Sequence, residues 1–276
     1  MKRSIVLVGL AFLSLACRGA SAVEERDAVS GVLNGIPKEK LEKLSRSRIW
    51  FGHQSVGYDI VRGLGDLARE QPGLGITIVE GKGPDALAAP AFAHAPNGRN
   101  VEPLTKIQDF ADTLERGGLG TATDIAFFKF CYVDFTPETD VEQVFAEYKQ
   151  TLARLRSTFP NVKFVHVTSP LTIVQSGPKA WVKKVLGKKL GGAEANAARE
   201  RFNARLREEY QGKEPLFDLA TVESTLPGGK TVRFELDDRT FPALADGYAS
   251  DGKHLNATGA RWAAANLLAT LATVVD

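Results

Sequence analysis

The sequence has very few cysteines: Cys17 and Cys131 are the only two among its 276 residues. A chain cleaved after Ala22 would keep only Cys131, so it could form no internal disulfide bond. Paired Cys and His residues at the spacing of a structural zinc site are also lacking, and we expect no bound metal. Stability must therefore come from a hydrophobic core, which a chain of this length can build.

A strong excess of either charge is lacking as well. The sequence has 35 Lys and Arg residues against 33 Asp and Glu residues, a formal net charge of +2. Three of the basic residues (Lys2, Arg3 and Arg18) lie in the first 22 positions, which contain no acidic residue. The balance beyond position 22 gives no electrostatic basis for nucleic-acid binding, and we expect no nucleic-acid partner.

The N-terminal apolar run, Ile5 to Ala16, is too short to span a bilayer comfortably. It follows two basic residues and precedes Ala20-Ser21-Ala22, the small residues that a signal peptidase needs. We interpret residues 1–22 as a signal peptide and expect an exported protein, periplasmic or secreted. A second interpretation is a lipoprotein signal that ends before Cys17, and we expect membrane contact only if Cys17 is lipidated.

Residues 23–276 are interpreted as one domain, because no repeat, low-complexity tract or Pro/Gly-rich linker divides them. Apolar strand-like runs alternate with segments of helical periodicity. The strand-like runs are 48–52, 75–80, 124–131, 162–168 and 215–219, and the helical segments include 103–116, 140–157, 192–210 and 257–274. Strands that alternate with helices pair in parallel, and continuous apolar runs indicate cover on both faces. The sequence therefore predicts an α/β/α sandwich with about five parallel strands.

Two long connections follow strands, so both should emerge at the carboxyl edge of the sheet. Residues 81–102 are rich in Gly, Pro and Ala, and residues 220–256 contain a short hairpin around "TVRFELDDRTF". Ligand sites of open α/β sheets gather at that edge, and long ordered loops there are often functional.

Three residues could carry chemistry at this edge. Asp251 and His254 lie three apart, just before Asn256 or Thr258 caps the final helix. In such a turn Asp251 can orient the imidazole while His254 acts as a general base. Ser55 follows the first strand and is the candidate nucleophile, which needs a base to accept its proton. Taken separately, Ser55 could be a simple helix cap, and the Asp-His pair a surface contact.

The early Gly-x-x-Ser and the late Asp-x-x-His-Leu-Asn resemble motifs of the SGNH (GDSL) hydrolases, which are esterases and lipases. This resemblance implies a flavodoxin-like fold, no cofactor, and a catalytic triad of Ser55, Asp251 and His254. It also implies an oxyanion hole that includes the Ser55 N–H. For the glycine of the family's second block, Gly98 and Asn100 in "PNGRN" are the nearest candidates.

The sequence departs from the family pattern at two blocks. The usual Gly-Asp-Ser is replaced by Gly-His-Gln-Ser, and the third block, Cys131 to Asp134, lacks the Asn that the family uses in the oxyanion hole. Loss of one such donor costs about 3 kcal/mol of transition-state stabilisation unless Lys129, Tyr132 or a backbone amide replaces it. We also consider four residues as substrate contacts, namely His53, Gln54, His94 and Asp134.

The sequence thus predicts an exported serine ester hydrolase that acts through an acyl-Ser55 intermediate. The expected substrate is a small-molecule or carbohydrate ester, with O-acyl (acetyl) groups of carbohydrate preferred because of the exported location. Two alternatives stay open. One is an acyltransferase that uses the same triad on a glycan hydroxyl, and the other is an inactive glycan-binding or assembly protein of the same fold.

Overall fold

A computed structural model describes residues 22–178, 182, 186 and 189–275. The predicted signal peptide, with Cys17, lies outside these residues apart from Ala22, the first residue of the first helix. None of the helices in the described part of the chain is long and apolar enough to cross a membrane.

Helices and strands alternate along most of the chain. The helices are α1 (Ala22–Asn34), α2 (Lys38–Ser45), α3 (Val56–Glu70), α4 (Pro103–Glu115), α5 (Leu119–Ala122), α6 (Val141–Thr158), α7 (Ala193–Tyr210), α8 (Leu219–Ser224) and α9 (Ala257–Ala272). The strands are β1 (Arg48–His53), β2 (Ile78–Glu80), β3 (Ala91–Pro96), β4 (Ile125–Phe128), β5 (Lys163–Phe164), β6 (His166–Val167), β7 (Leu216–Phe217), β8 (Arg233–Leu236) and β9 (Arg239–Pro242).

Five parallel strands form the main sheet in the order β2-β3-β1-β4-β5. The central strand is β1, in which Phe51 lies opposite His94 of β3 and Phe127 of β4. Strands β6 and β7 form a separate parallel pair, and β8 and β9 form an antiparallel hairpin. The predicted number and direction of the strands are confirmed.

Side chains of β1 alternate between two hydrophobic cores. Ile49 and Phe51 pack in a core with α1, α2, α3 and α9, whereas Trp50 packs in a second core with α4, α6 and α7. Successive side chains of a strand point to opposite faces, so a strand covered on both faces is a continuous apolar run. The predicted α/β/α sandwich is confirmed.

The prediction of a long connection at 81–102 is wrong in part, because this segment contains β3. Its sequence, "AFAHAP", lacks the β-branched residues that usually mark a strand. Ala91, Ala93 and Ala95 are nevertheless buried, and β3 pairs with β1 and β2 on its two sides. Tertiary packing therefore decides the conformation here. The connection that reaches the carboxyl edge is the shorter segment 97–102.

The two sheet-flanking helices α3 and α9 approach each other closely at Gly63. A Cβ atom built at Gly63 would lie 2.2 Å from the carbonyl oxygen of Ala260. A Cβ atom built at Gly65, two residues later on the same helix, would make ordinary van der Waals contacts, the nearest at 3.7 Å. Only the first of these glycines is required for the packing of the two helices.

We therefore expect Gly63→Ala to lower the free energy of unfolding by about 2–3 kcal/mol, since the backbones of α3 and α9 must separate. The matched variant Gly65→Ala should be neutral, or more stable by up to roughly 1 kcal/mol, because Ala favours helix over Gly. Chemical denaturation followed by circular dichroism measures both. Equal effects of the two substitutions would contradict the close approach at Gly63.

Candidate active site

Ser55 lies in the sharp turn between β1 and α3 with an unusual backbone conformation. Its φ is 53° and its ψ is −116°, a region that non-glycine residues rarely occupy. Although Ser55 directly precedes α3, its side chain makes no capping hydrogen bond. A strained turn from strand to helix, with a serine hydroxyl that does not cap the helix, is typical of a nucleophile elbow. Ser55 therefore does not act as a side-chain cap of α3.

A chain of hydrogen bonds joins the three residues singled out in the sequence. Ser55 Oγ lies 2.7 Å from His254 Nε2, and His254 Nδ1 lies 2.8 Å from Asp251 Oδ2. Because the carboxylate can only accept, the imidazole donates from Nδ1 and presents the lone pair of Nε2 to the Ser55 hydroxyl. This is the tautomer that a general base needs.

Asp251 is fixed by the backbone as well as by the imidazole. Its Oδ1 accepts the N–H of His254 at 2.8 Å and the N–H of Lys253 at 2.9 Å. The hydrogen bonds from His254, first its N–H and then its ring, hold the pKa of the Asp251 carboxyl well below its usual range. Asp251 therefore stays ionised at neutral pH and can stabilise a protonated His254.

Asp251 and His254 lie at an open rim. The side chain of Asp251 is 53% exposed and that of His254 is 35% exposed. Water can therefore reach the imidazole of His254.

Two residues of α3 hold the loop that bears His254. Asp59 Oδ2 accepts the N–H of Leu255 at 3.0 Å, and the Arg62 guanidinium donates to the carbonyl oxygen of Leu255 at 3.0 Å. Asp59 and Arg62 also pair with each other at 3.0 Å. Both polar groups of the residue next to the base are thus tied to the helix that follows Ser55. Sequence analysis missed this pair, although Asp59 interrupts the apolar face of α3 four residues after Ser55.

The final helix begins as predicted beyond this loop. Asn256 is the cap of α9 and accepts the N–H of Gly259 at 2.9 Å. Thr258 does not cap the helix, and its hydroxyl donates to Glu25 instead. The Asn256 cap and the hydrogen bonds of Leu255 together fix the position of the His254 backbone.

His53 and His94 are buried beneath the Ser55 turn and do not line the open rim. The ring of His53 is fully buried, and its Nε2 lies 3.0 Å from Nδ1 of His94. A Cβ atom at Gly57 would lie 2.4 Å from the His53 ring, so the first turn of α3 rests on this imidazole. Both residues pack inside the protein, and their contact with a substrate stays a prediction.

The loop after β3 makes hydrogen bonds through the two residues expected to contribute to an oxyanion hole. The Gly98 N–H donates to Asp109 Oδ2 at 2.7 Å, and the Asn100 side-chain oxygen accepts Lys106 Nζ at 2.8 Å. The Gln54 side chain also donates into this loop, to the carbonyl oxygens of Asn97 and Gly98. The Gly98 N–H is therefore already engaged and the Gln54 side chain braces the turn, while their roles in the oxyanion hole and in substrate contact stay predictions.

Asp134 is a buried structural residue. It accepts Lys106 Nζ at 2.6 Å and the N–H of Cys131 at 2.6 Å on Oδ2, and the N–H of Val101 at 3.0 Å on Oδ1. The side chains of Lys106 and Asp134 are both fully buried. This ion pair joins the loops after β3 and β4, and substrate contact by Asp134 stays a prediction.

No group of three or more His, Cys, Asp or Glu side chains within the described residues is arranged to hold a metal ion.

The buried His53 should make the protein sensitive to acid. In the unfolded chain its pKa is near 6.5, whereas burial lowers the pKa of His53 to about 2 in the folded protein. Between these values the unfolded chain binds more protons, so the free energy of unfolding falls as the pH decreases. We expect His53→Gln to reduce this fall by roughly 1.4 kcal/mol per pH unit between about pH 6 and pH 4.

Urea denaturation of both proteins across this pH range measures the difference. His166→Gln provides a second case, because burial also lowers the pKa of His166 to about 3. An unchanged slope in His53→Gln would mean that His53 takes up a proton without unfolding.

Comparisons with known proteins give likeness in fold only. Neither a protein-family model nor a curated protein sequence matches the chain. One similar solved structure is a protein from Streptococcus pneumonia provisionally assigned as a platelet activating factor, with a TM-score of 0.46, 12% identity, and coverage of 90% of this chain and 98% of that chain.

A second is a protein from Desulfitobacterium hafniense DCB-2, provisionally assigned as a lipolytic protein of the G-D-S-L family, with a TM-score of 0.45, 10% identity, and coverage of 81% and 99%. A third is the salicylyl-acyltransferase SsfX3 from a tetracycline biosynthetic pathway, with a TM-score of 0.37, 12% identity, and coverage of 80% of this chain and 53% of that one. Likenesses of this size carry no argument about the activity of the chain, and its fold is given by its own sheet and helices.

Proposed function

We propose that this protein is an SGNH-like serine ester hydrolase that acts through an acyl-Ser55 intermediate. The observation that carries the proposal is the hydrogen-bonded chain from Ser55 through His254 to Asp251. The backbone conformation of Ser55 also supports the proposal, because its hydroxyl is not used to cap α3. Each of the three residues has a role that its contacts suit.

In the first half-reaction, Ser55 Oγ attacks the ester carbonyl carbon while its proton passes to His254 Nε2. The carbonyl π electrons move onto the oxygen, and a tetrahedral oxyanion forms. Asp251 stabilises the imidazolium through the bond to Nδ1. When the oxyanion collapses, the bond to the alcohol oxygen breaks, and the alcohol leaves with the proton from Nε2.

In the second half-reaction, water attacks the acyl carbon and gives its proton to His254 Nε2. The second tetrahedral oxyanion collapses and breaks the bond to Ser55 Oγ, which recovers the proton. The products are a carboxylic acid and the free enzyme. No cofactor takes part in either half.

The exposure of the site favours hydrolysis over transfer to another alcohol. A transferase must keep water away from the acyl-enzyme, whereas His254 and Asp251 are 35% and 53% exposed. Water can therefore approach the imidazole once the alcohol has left. For this reason we propose hydrolysis, and not acyl transfer, as the activity of this site.

We further propose that the protein is exported and that its natural substrate is an O-acylated carbohydrate. The basic start, short apolar run and small residues at 20–22 support export. Periplasmic and extracellular material contains carbohydrate O-acyl esters, which makes this substrate class the natural one for an exported esterase. Cys17, if lipidated, would hold the protein at a membrane surface.

Ser55 should react covalently with a fluorophosphonate probe. We expect complete labelling of the wild type, none of Ser55→Ala, and a loss of at least about 10³-fold in labelling rate for His254→Ala, because Ser55 then has no base. Gel fluorescence and mass spectrometry of the labelled peptide measure the outcome.

Ser157→Ala is the matched control, because Ser157 is exposed on α6 and makes no contact with the triad. It should label as the wild type does. Absence of labelling at Ser55 in the folded wild type, together with no ester turnover, would refute the enzyme and favour a binding protein of the same fold.

Product analysis separates hydrolysis from transfer. With p-nitrophenyl acetate we expect equal amounts of acetate and p-nitrophenol, and the same ratio when a xylan or chitin oligosaccharide is added, since water reaches the acyl-enzyme. Chromatography of the acid and mass spectrometry of the oligosaccharide provide the measurement. Acetate that falls below p-nitrophenol while the oligosaccharide gains acetyl groups would assign the acyltransferase instead.

A further inference from the structure

An acyl-transfer site needs hydrogen-bond donors for the oxyanion. The Asn donor that the third block of the SGNH pattern would supply is missing from this sequence. The stretch after β4 reads Cys131-Tyr132-Val133-Asp134 and contains no Asn. The Ser55 N–H, which has no acceptor among the described residues, can supply one hydrogen bond. A second donor close to Ser55 is required for ordinary rates, because removal of one donor lowers kcat about 10²–10³-fold.

Several nearby donors are already committed elsewhere. The Gly98 N–H donates to Asp109, and the Cys131 N–H donates to Asp134. The Lys129 side chain is fully buried, and its ammonium donates to the carbonyl oxygen of Phe130 and contacts Cys131 Sγ. The Gln54 amide is held by the loop after β3. Use of any of these would break an existing contact.

Tyr132 differs from these residues because its side chain lies against the proposed base. Its ring meets the ring of His254 edge to face, with centroids 5.6 Å apart, and His254 Nε2 lies 2.7 Å from Ser55 Oγ. Tyr132 is half-buried and packs against the hydrophobic core that α3 and α9 share. It is thus a side chain with a hydroxyl donor next to the base that bonds Ser55.

The position of Tyr132 is set from behind by Arg199 on α7. The Arg199 Nε–H donates to the carbonyl oxygen of Tyr132 at 2.7 Å, and the guanidinium carbon lies 6.0 Å from the centre of the Tyr132 ring. Arg199 is itself buried and also donates to Thr172. A phenol held at both backbone and ring is pre-organised, which is what an oxyanion donor requires.

We propose that the Tyr132 hydroxyl is the second oxyanion donor and replaces the missing Asn. This inference rests on the proposed acyl transfer at Ser55. As Ser55 Oγ bonds to the carbonyl carbon, the Tyr132 O–H donates to the developing oxyanion. The phenol keeps its proton throughout. Burial raises the pKa of Tyr132, so the hydroxyl remains a donor at neutral pH.

The test is Tyr132→Phe, which removes the hydroxyl and keeps the ring. We expect kcat for p-nitrophenyl acetate to fall about 10²–10³-fold with KM changed less than about threefold, because the hydrogen bond is strongest in the transition state. A short-chain alkyl trifluoromethyl ketone adds to the serine to give an oxyanion. Its inhibition constant should rise by about the same factor as kcat/KM falls. A packing defect would not produce this correlation.

Tyr58→Phe is the matched control, since Tyr58 is 40% exposed and its hydroxyl lies 3.4 Å from Glu80, away from the triad. It should keep wild-type kcat and inhibitor affinity. Thermal unfolding of both variants identifies any loss of fold. If Ser55 of the wild type reacts with fluorophosphonate but Tyr132→Phe keeps kcat within about threefold, Tyr132 is not the donor. If Ser55 of the wild type does not react with the probe, the proposed hydrolase itself is refuted.

Discussion

The close approach of α3 and α9 is the constraint on which the site depends. Gly63 lets the two helices meet at backbone distance, and Asp59 and Arg62 on the same helix hold Leu255 at both its polar groups. Ser55 immediately precedes α3, and His254 immediately precedes Leu255. The 2.7 Å contact between Ser55 and His254 therefore follows from the packing of two helices and needs no long-range adjustment of loops.

Buried polar groups around the sheet edge have a similar bracing role. The Lys106–Asp134 pair joins the loops after β3 and β4, and the His53–His94 pair lies beneath the Ser55 turn. Neither pair faces the rim. Burying such groups is costly unless each is well paired, and breaking one partner costs several kcal/mol. Rigid support beneath a strained turn is the use that fits their position, because a residue held at positive φ persists only when its surroundings determine it.

Much of the fold could be predicted from the sequence because its strands and helices carry clear periodicity. The run at 48–52 is apolar on both faces, and β1 lies where it should; the hairpin around 233–242 also appears. β3 could not be predicted, since alternating Ala with one His is a weak strand signal. The interruption at Val165, which divides 162–168 between β5 and β6, has no signal in the sequence either.

The site residues were predictable to different degrees for physical reasons. Ser55, Asp251 and His254 form short motifs at element boundaries, and the structure brings their side chains together. The roles of Gly98, His94 and Asp134 depend on which hydrogen bonds are already made, and spacing alone carries no such information. The importance of Asp59 likewise appears only when Leu255, nearly two hundred residues later, is placed against it.

The separation of Ser55 and His254 along the chain, 199 positions, has a consequence for folding. Contacts between distant parts of a chain close late, since loop entropy must first be overcome. The Ser55 turn is built into the centre of the sheet, whereas His254 arrives only with the docking of the last helix. Formation of the hydrogen bond between them would therefore report the final step of assembly, and a chain that has formed its sheet without that docking would be compact but would lack this contact.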